Sequence, residues 1–148
     1  MIKVLFVCTG NICRSPTAEA VFARKIQAMG LQDEVSWDSA GTHGYHVGSA
    51  PDLRSTAAAR RRGYDLSVLR ARQVTYADFE TFDLILCMDE GHLTTLQQAA
   101  PKIFHDRIKM FDDRDVGDPY YGGDQGFEDV LDQIEEACDR WILQLKPM

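Results

Sequence analysis

Apolar and polar positions alternate along this chain in two rhythms, short continuous runs and helical spacings. Residues 3–8 form a brief apolar run, the pattern of a strand buried on both faces as in a parallel sheet. After a polar turn, Ser15-Pro16 predicts a helix with Ser15 as its cap and Pro16 at its first position. Ala18, Val21, Phe22 and Ile26 then recur at helical spacing, Glu19 falls in the expected first turn, and Gly30 closes the element. Residues 35–40 read as a second strand. Residues 41–51 carry Gly41, Gly44 and Gly48 around Tyr45, a loop composition. A helix is expected over about 52–62, ending at Gly63. Residues 82–88 form another apolar run, a helix begins near Glu90 and stops before Pro101, and residues 108–111 are a fourth strand candidate. Beyond a polar, glycine-rich stretch at 112–126, the positions Phe127, Val130, Leu131, Ile134, Ala137, Cys138, Trp141 and Leu145 trace one face of a long terminal helix.

Strands separated by helices predict an α/β chain: a single-domain, three-layer fold over residues 1–148, with a central four-stranded parallel sheet and helices on both faces. Such sheets hold ligands beyond the carboxyl ends of their strands, near the point where strand order reverses. The segment following the first strand is where that rule points.

Composition narrows the function classes. The chain has 148 residues and a formal net charge of -7, with 26% charged and 45% hydrophobic residues. That balance lacks the broad positive field expected of a nucleic-acid or anionic-membrane binder. No apolar run approaches the roughly 20 residues of a membrane span, and residues 4–7 are too short for a secretory signal, so a cytoplasmic protein is expected. The cysteines Cys8, Cys13, Cys87 and Cys138 are too scattered for a zinc site, and Cys138 fits a small core residue within its helix.

Most of the chemical information lies in Cys8-Thr9-Gly10-Asn11-Ile12-Cys13-Arg14-Ser15. A loop entering a helix can aim successive backbone N–H groups at one anion, and the helix dipole adds positive potential. Gly10 and Asn11 tolerate left-handed backbone angles, and Arg14 offers a planar fork for two phosphate oxygens. Cys8 would lie beneath that cup, where the same donors would favour its thiolate and make it a nucleophile. The nucleotide-binding Gly-Lys-Ser/Thr and Gly-x-Gly-x-x-Gly patterns are both absent, as is a redox Cys-x-x-Cys.

With Pro16 added, this segment resembles the signature of the low-molecular-weight protein tyrosine phosphatases. Asp38-Ser39-Ala40-Gly41-Thr42, Ala71-Arg72-Gln73, Cys87-Met88-Asp89-Glu90 and Asp118-Pro119-Tyr120-Tyr121 resemble family segments in the same order. The resemblance implies Cys8 as nucleophile through a phosphocysteine, Arg14 and the loop residues Thr9, Gly10, Ile12 and Cys13 around the phosphate, and Asp118 as acid and then base. It further implies that Ser15 bonds the thiolate, that Asn11 holds the loop, that Tyr45, Tyr120 and Tyr121 wall in an aryl group, and that neither metal nor other cofactor is required. It gives Cys13 a second role, a reversible disulfide with Cys8. Phosphotyrosine proteins are the implied partners. The Gly41-Thr42 and Gly122-Gly123 steps resemble bacterial members, which often act on tyrosine kinases controlling exported polysaccharide.

Other assignments are plainer. The acids at 112, 113, 115 and 124 do not make a calcium loop, since Gly117 stands where a ligand is needed and no Glu closes it. His43 and His46 are too few for a metal and read as an exposed loop. Arg60, Arg61 and Arg62, with Arg70 and Arg72 beyond, are read as cations at a helix end rather than a docking patch. Relatives commonly carry a histidine where Val68 stands, which leaves open whether Ser39 or a different partner holds Asn11. Three alternatives remain. An arsenate reductase needs a close downstream cysteine pair; a protein-arginine phosphatase favours threonine where Ile12 stands; a phosphate-binding sensor needs neither nucleophile nor acid.

Overall fold

The computed structural model describes residues 1–119 and 123–145. Its centre is a four-stranded sheet of order β2-β1-β3-β4 in which every pairing is parallel. Strand β1 (Ile2–Cys8) runs alongside β2 (Val35–Gly41) from Ile2↔Val35 to Cys8↔Gly41. On its other side it pairs with β3 (Leu84–Cys87) from Val4↔Leu84 to Val7↔Cys87, and β4 (Ile108–Met110) lies beyond β3. The chain leaves β1 toward one edge to make β2 and returns to the other side of β1 to make β3. Strand order therefore reverses between β1 and β3, and the loops following Cys8 and Cys87 open at the same switch point.

The two-residue period of β1 divides the core into two layers. Val4, Phe6 and Cys8 pack with Phe22 and Ile26 of α1 (Arg14–Ala28) and with Leu131, Ile134 and Cys138 of α5 (Gly123–Leu145). Leu5 and Val7 face the opposite side, against Phe79 of α3 (Tyr76–Thr81) and Leu96 of α4 (Glu90–Ala99). Phe6 is fully buried and meets Phe22 and Phe111 edge-on, with centroids 5.2 and 5.7 Å apart. Burying each such ring contributes about 1.5–3 kcal/mol before the entropy of ordering it is counted. Helix α2 (Leu53–Arg61) starts on Asp52, whose carboxylate accepts the N–H groups of Arg54 and Ser55 at 2.9 and 3.1 Å.

The expected α/β class, sheet composition and order of elements hold. One local expectation does not, and two short elements were not foreseen. Helix α1 begins at Arg14 with Cys13 at the cap position, so Ser15 is not the cap, Pro16 lies third, and Glu19 is past the first turn. Pro16 fits there because the opening N–H groups of a helix have no intrahelical acceptor, so a proline is tolerated at any of them. Helix α3 and a 3-10 turn at Lys102–Arg107 were not anticipated. The six residues of α3 are too few to show a period, although Thr75 and Asp78 form a capping box that signals its start.

Candidate active site

Residues 9–13 wrap from the end of β1 into the start of α1, and Asn11 sets the shape of the turn. Its backbone is left-handed, with φ of 59°, the conformation expected of an asparagine here. Every polar atom of its side chain is engaged: the amide donates to Ser15 Oγ at 2.8 Å and Ser39 Oγ at 3.0 Å, and the carbonyl accepts from the Arg72 N–H at 3.0 Å. Val68 is 78% exposed and takes no part, so Ser39 and the Arg72 backbone answer the question that Val68 posed. Gly10 serves close approach rather than a left-handed angle: a Cβ there would stand 2.8 Å from the His46 ring. Gly41 is needed for a firmer reason, because its Cβ would meet the Thr9 carbonyl oxygen at 2.7 Å. None of the N–H groups of residues 9–13 donates to another backbone group among the described residues, which leaves them for an anion.

Cys8 lies at the base of this loop, 2% exposed, with its sulfur 3.0 Å from Ser15 Oγ. Since the Asn11 amide occupies a lone pair of that hydroxyl, the Ser15 proton is available to the sulfur. Arg14 is buried, and its Nη1 donates to Asp89 Oδ2 at 2.9 Å and to the Val116 carbonyl at 3.0 Å. This clamp consumes one amino group and leaves the rest of the guanidinium fork for a ligand. Burial pushes the Asp89 carboxyl upward, yet the His92 N–H, the His92 ring and the Arg14 cation hold it below its ordinary value. Asp118 comes from the segment before α5, with Oδ2 3.9 Å from Arg14 Nη2. Cys8, Thr9, Gly10, Ile12, Cys13, Arg14, Tyr45, His46 and Asp118 line one open cavity of about 260 Å³.

The structure thus gathers nearly all the site residues read from the sequence. Tyr120 and Tyr121 lie outside the described residues. His46, expected to be a bystander, lines the cavity, and His43 stacks on Tyr45 with centroids 4.9 Å apart. Asp89 and His92 were not anticipated as parts of the site; the Cys87-Met88-Asp89-Glu90 segment was the available signal. Arg61 and Arg62 do more than sit at a helix end: they tie α2 to Glu128 on α5, and Arg62 also reaches Asp132 and Glu135. Cys138 is in the core as expected, and Cys87 is buried in the opposite layer. Burial raises both thiols, Cys87 to about 12.

A buried carboxyl lies beneath Asn11. Ser39 Oγ, which accepts from Asn11, donates to Glu19 Oε1 at 2.6 Å, and Glu19 is buried. Burial raises the Glu19 pKa above its ordinary 4.5, and Asp38 adds to the rise, while the Ser39 bond and Arg72 oppose it. The folded protein therefore holds this proton more tightly than the unfolded chain, and the contribution is fully present below pH 4.5 and lost as pH rises through the folded value. Glu19→Gln keeps the acceptor for Ser39 without the charge. Its urea midpoint is expected to gain on that of wild type between pH 4 and pH 7; a difference constant with pH would contradict this.

Comparison with known proteins gives a consistent result. Residues 3–147 match the sequence profile described as low molecular weight phosphotyrosine protein phosphatase. The human low molecular weight phosphotyrosine protein phosphatase is 42% identical over 95% of this chain and 93% of its own length. A low molecular weight protein-tyrosine-phosphatase of Streptomyces coelicolor is 44% identical over 91% of this chain and 88% of its own. A crystal structure of a protein tyrosine phosphatase from Entamoeba histolytica, with Hepes in its active site, superposes with a TM-score of 0.95 at 39% identity, covering 99% of this chain and 97% of that one.

Proposed function

The chain belongs to the low molecular weight phosphotyrosine protein phosphatase family, and from that premise we propose how its own residues carry out the reaction. It is a protein-tyrosine phosphatase, and its substrates are phosphotyrosine proteins. The Cys8 thiolate attacks phosphorus in line, forming an S–P bond as the bond to the tyrosyl oxygen breaks. Asp118, in its acid form, gives its proton to that leaving oxygen. Arg14 and the N–H groups of the loop hold the three equatorial oxygens, where charge spreads in the transition state. Water then attacks the phosphocysteine, passing a proton to the Asp118 carboxylate, and the S–P bond breaks to release phosphate and thiolate. Ser15 donates to the sulfur and eases its departure. Asn11 fixes the loop through Ser15, Ser39 and Arg72.

The observation that supports this reading most is that Cys8, Arg14 and Asp118 line one cavity, with Ser15 Oγ 3.0 Å from the sulfur. Ile12, Tyr45 and His46 on the same cavity favour a flat aryl group over a short alkyl chain. A phosphotyrosine peptide is expected to be hydrolysed with a kcat/KM about a hundredfold above that of the matching phosphoserine peptide. Since Arg14 and the loop donors supply the electrostatics, excess chelator is expected to leave the rate unchanged. Equal rates on the two peptides would count against the aryl assignment. The buried Cys87 and Cys138, in opposite layers, do not form the close pair an arsenate relay requires.

A match over residues 3–147 supports one phosphatase domain spanning 1–148. No helix among the described residues is long and apolar enough to cross a membrane. A reducing, cytoplasmic setting suits a nucleophilic thiol, and a bacterial tyrosine kinase is proposed among the substrates. Cys13 is proposed as a resolving thiol: peroxide converts the Cys8 thiolate to a sulfenic acid, which Cys13 attacks with loss of water to form a disulfide. Burial raises the Cys13 thiol to about 12, so resolution should be slow at neutral pH and faster in base. Intact mass after brief peroxide should show loss of two hydrogens, reversed by dithiothreitol. Sulfinic acid on Cys8 alone would refute the pairing.

A further inference from the structure

His92 is the one histidine buried among the described residues, and it touches both sides of the switch point. It stands in the first turn of α4, whose cap is Asp89. The Asp89 N–H points at His92 Nδ1 at 3.2 Å, and a backbone N–H can bond only an unprotonated ring nitrogen. The neutral ring therefore carries its proton on Nε2, which donates to Thr9 Oγ1 at 2.8 Å. Thr9 follows the nucleophile and lines the cavity. In the other direction, the His92 N–H donates to Asp89 Oδ1 at 3.0 Å, while Asp89 Oδ2 holds Arg14.

We propose that His92 is a positioning residue for the phosphate loop: its Nε2–H bond to Thr9 holds the loop after β1 against the start of α4, a role separate from its capping of that helix. The proposal rests on the phosphate-binding roles given above to Thr9 and Arg14. Burial and the Arg14 cation push the imidazolium down to about 4, against the pull of Asp89, Asp115 and Asp118, so the ring is neutral at neutral pH and Nδ1 stays open to the Asp89 N–H. The bond reaches across 83 positions of sequence, joining the loops that follow two paired strands at a point beyond the end of their ladder.

The two roles separate by substitution. In His92→Gln the amide nitrogen reaches where Nε2 stands and keeps a donor for Thr9, but the acceptor for the Asp89 N–H is lost. In His92→Asn the carbonyl stands where Nδ1 is and keeps the cap, but nothing reaches Thr9. Kinetics with p-nitrophenyl phosphate, the inhibition constant of inorganic phosphate and the urea midpoint are measured for both. His92→Asn is expected to lose about tenfold in kcat/KM and to bind phosphate several-fold more weakly while keeping its midpoint. His92→Gln should stay within about threefold of wild type in both, despite a lower midpoint. Thr9→Val combined with His92→Asn should cost little more than either change alone.

Activity that follows the midpoint instead, with His92→Asn near wild type, would overturn the proposal, as would full additivity with Thr9→Val. Should the variants fail to fold, nitrogen NMR of the wild-type ring decides: a slowly exchanging proton on Nε2 supports the bond, and one on Nδ1 refutes it. If turnover by the wild type did not depend on Cys8, the phosphatase assignments would fall, while the ring tautomer would still report on the His92–Thr9 bond.

Discussion

Cys8→Ser is expected to lower turnover of any phosphate ester by roughly 10⁴-fold or more while leaving phosphate binding intact. A hydroxyl at this position is neutral at neutral pH and needs a base to become a nucleophile. The partner of the Cys8 sulfur is the Ser15 hydroxyl, a donor that suits a thiolate and cannot serve as that base. The anion-binding parts are untouched, since Arg14 is clamped by Asp89 and Val116 and Asn11 by its three partners. A neutral hydroxyl in place of the proposed thiolate adds no repulsion with the ligand. Inorganic phosphate, titrated by calorimetry, should therefore bind the variant at least as tightly as it binds wild type. Substantial turnover by the purified variant would rule out Cys8 as nucleophile.

Asp118→Ala is expected to show a loss that depends on the leaving group. A general acid contributes roughly 10²–10⁴-fold, and most where the departing oxygen is a poor leaving group. p-Nitrophenolate leaves readily without a proton, whereas phenolate and tyrosinate do not. The variant should lose about tenfold more on phenyl phosphate than on p-nitrophenyl phosphate. Its acidic neighbours Asp113 and Asp115 are exposed and lie outside the cavity, so Asp113→Ala serves as a control that should leave both rates near wild type. A loss for Asp118→Ala that is equal across leaving groups would mean that its carboxylate only orients Arg14, 3.9 Å away.

How much of this could be read from the chain depended on distance along it. Strand β1, the loop at residues 9–13 and helix α1 are contiguous, so hydrophobic run, loop chemistry and proline together indicated a nucleophile under an anion cup. The all-parallel sheet followed from strands separated by helices. What could not be read was long-range. Asn11 needed a partner: Ser39, 28 positions away, was a candidate only through the resemblance, and no local pattern pointed to the Arg72 backbone, 61 positions away. The same holds for Asp89, which grips Arg14 from 75 positions away, and for His92. His46 was passed over because a polar loop residue carries no period, and its packing over Gly10 arises only when the loop after β2 folds back on the phosphate loop. The start of α1 was misplaced because the Ser-Pro signal suited a cap, whereas the Ser15 hydroxyl is turned toward Cys8 and Asn11.

The most direct measurement is to trap the phosphoryl group itself. Asp118→Ala is mixed with p-nitrophenyl phosphate, quenched during turnover under conditions that preserve thiophosphate esters, and digested for peptide mass analysis. One phosphoryl group is expected on the peptide containing Cys8, absent from Cys8→Ser treated in the same way, with the bond to sulfur identified by its phosphorus NMR shift. Phosphate carried by another residue, or steady turnover with no covalent intermediate at any quench time, would contradict catalysis through Cys8.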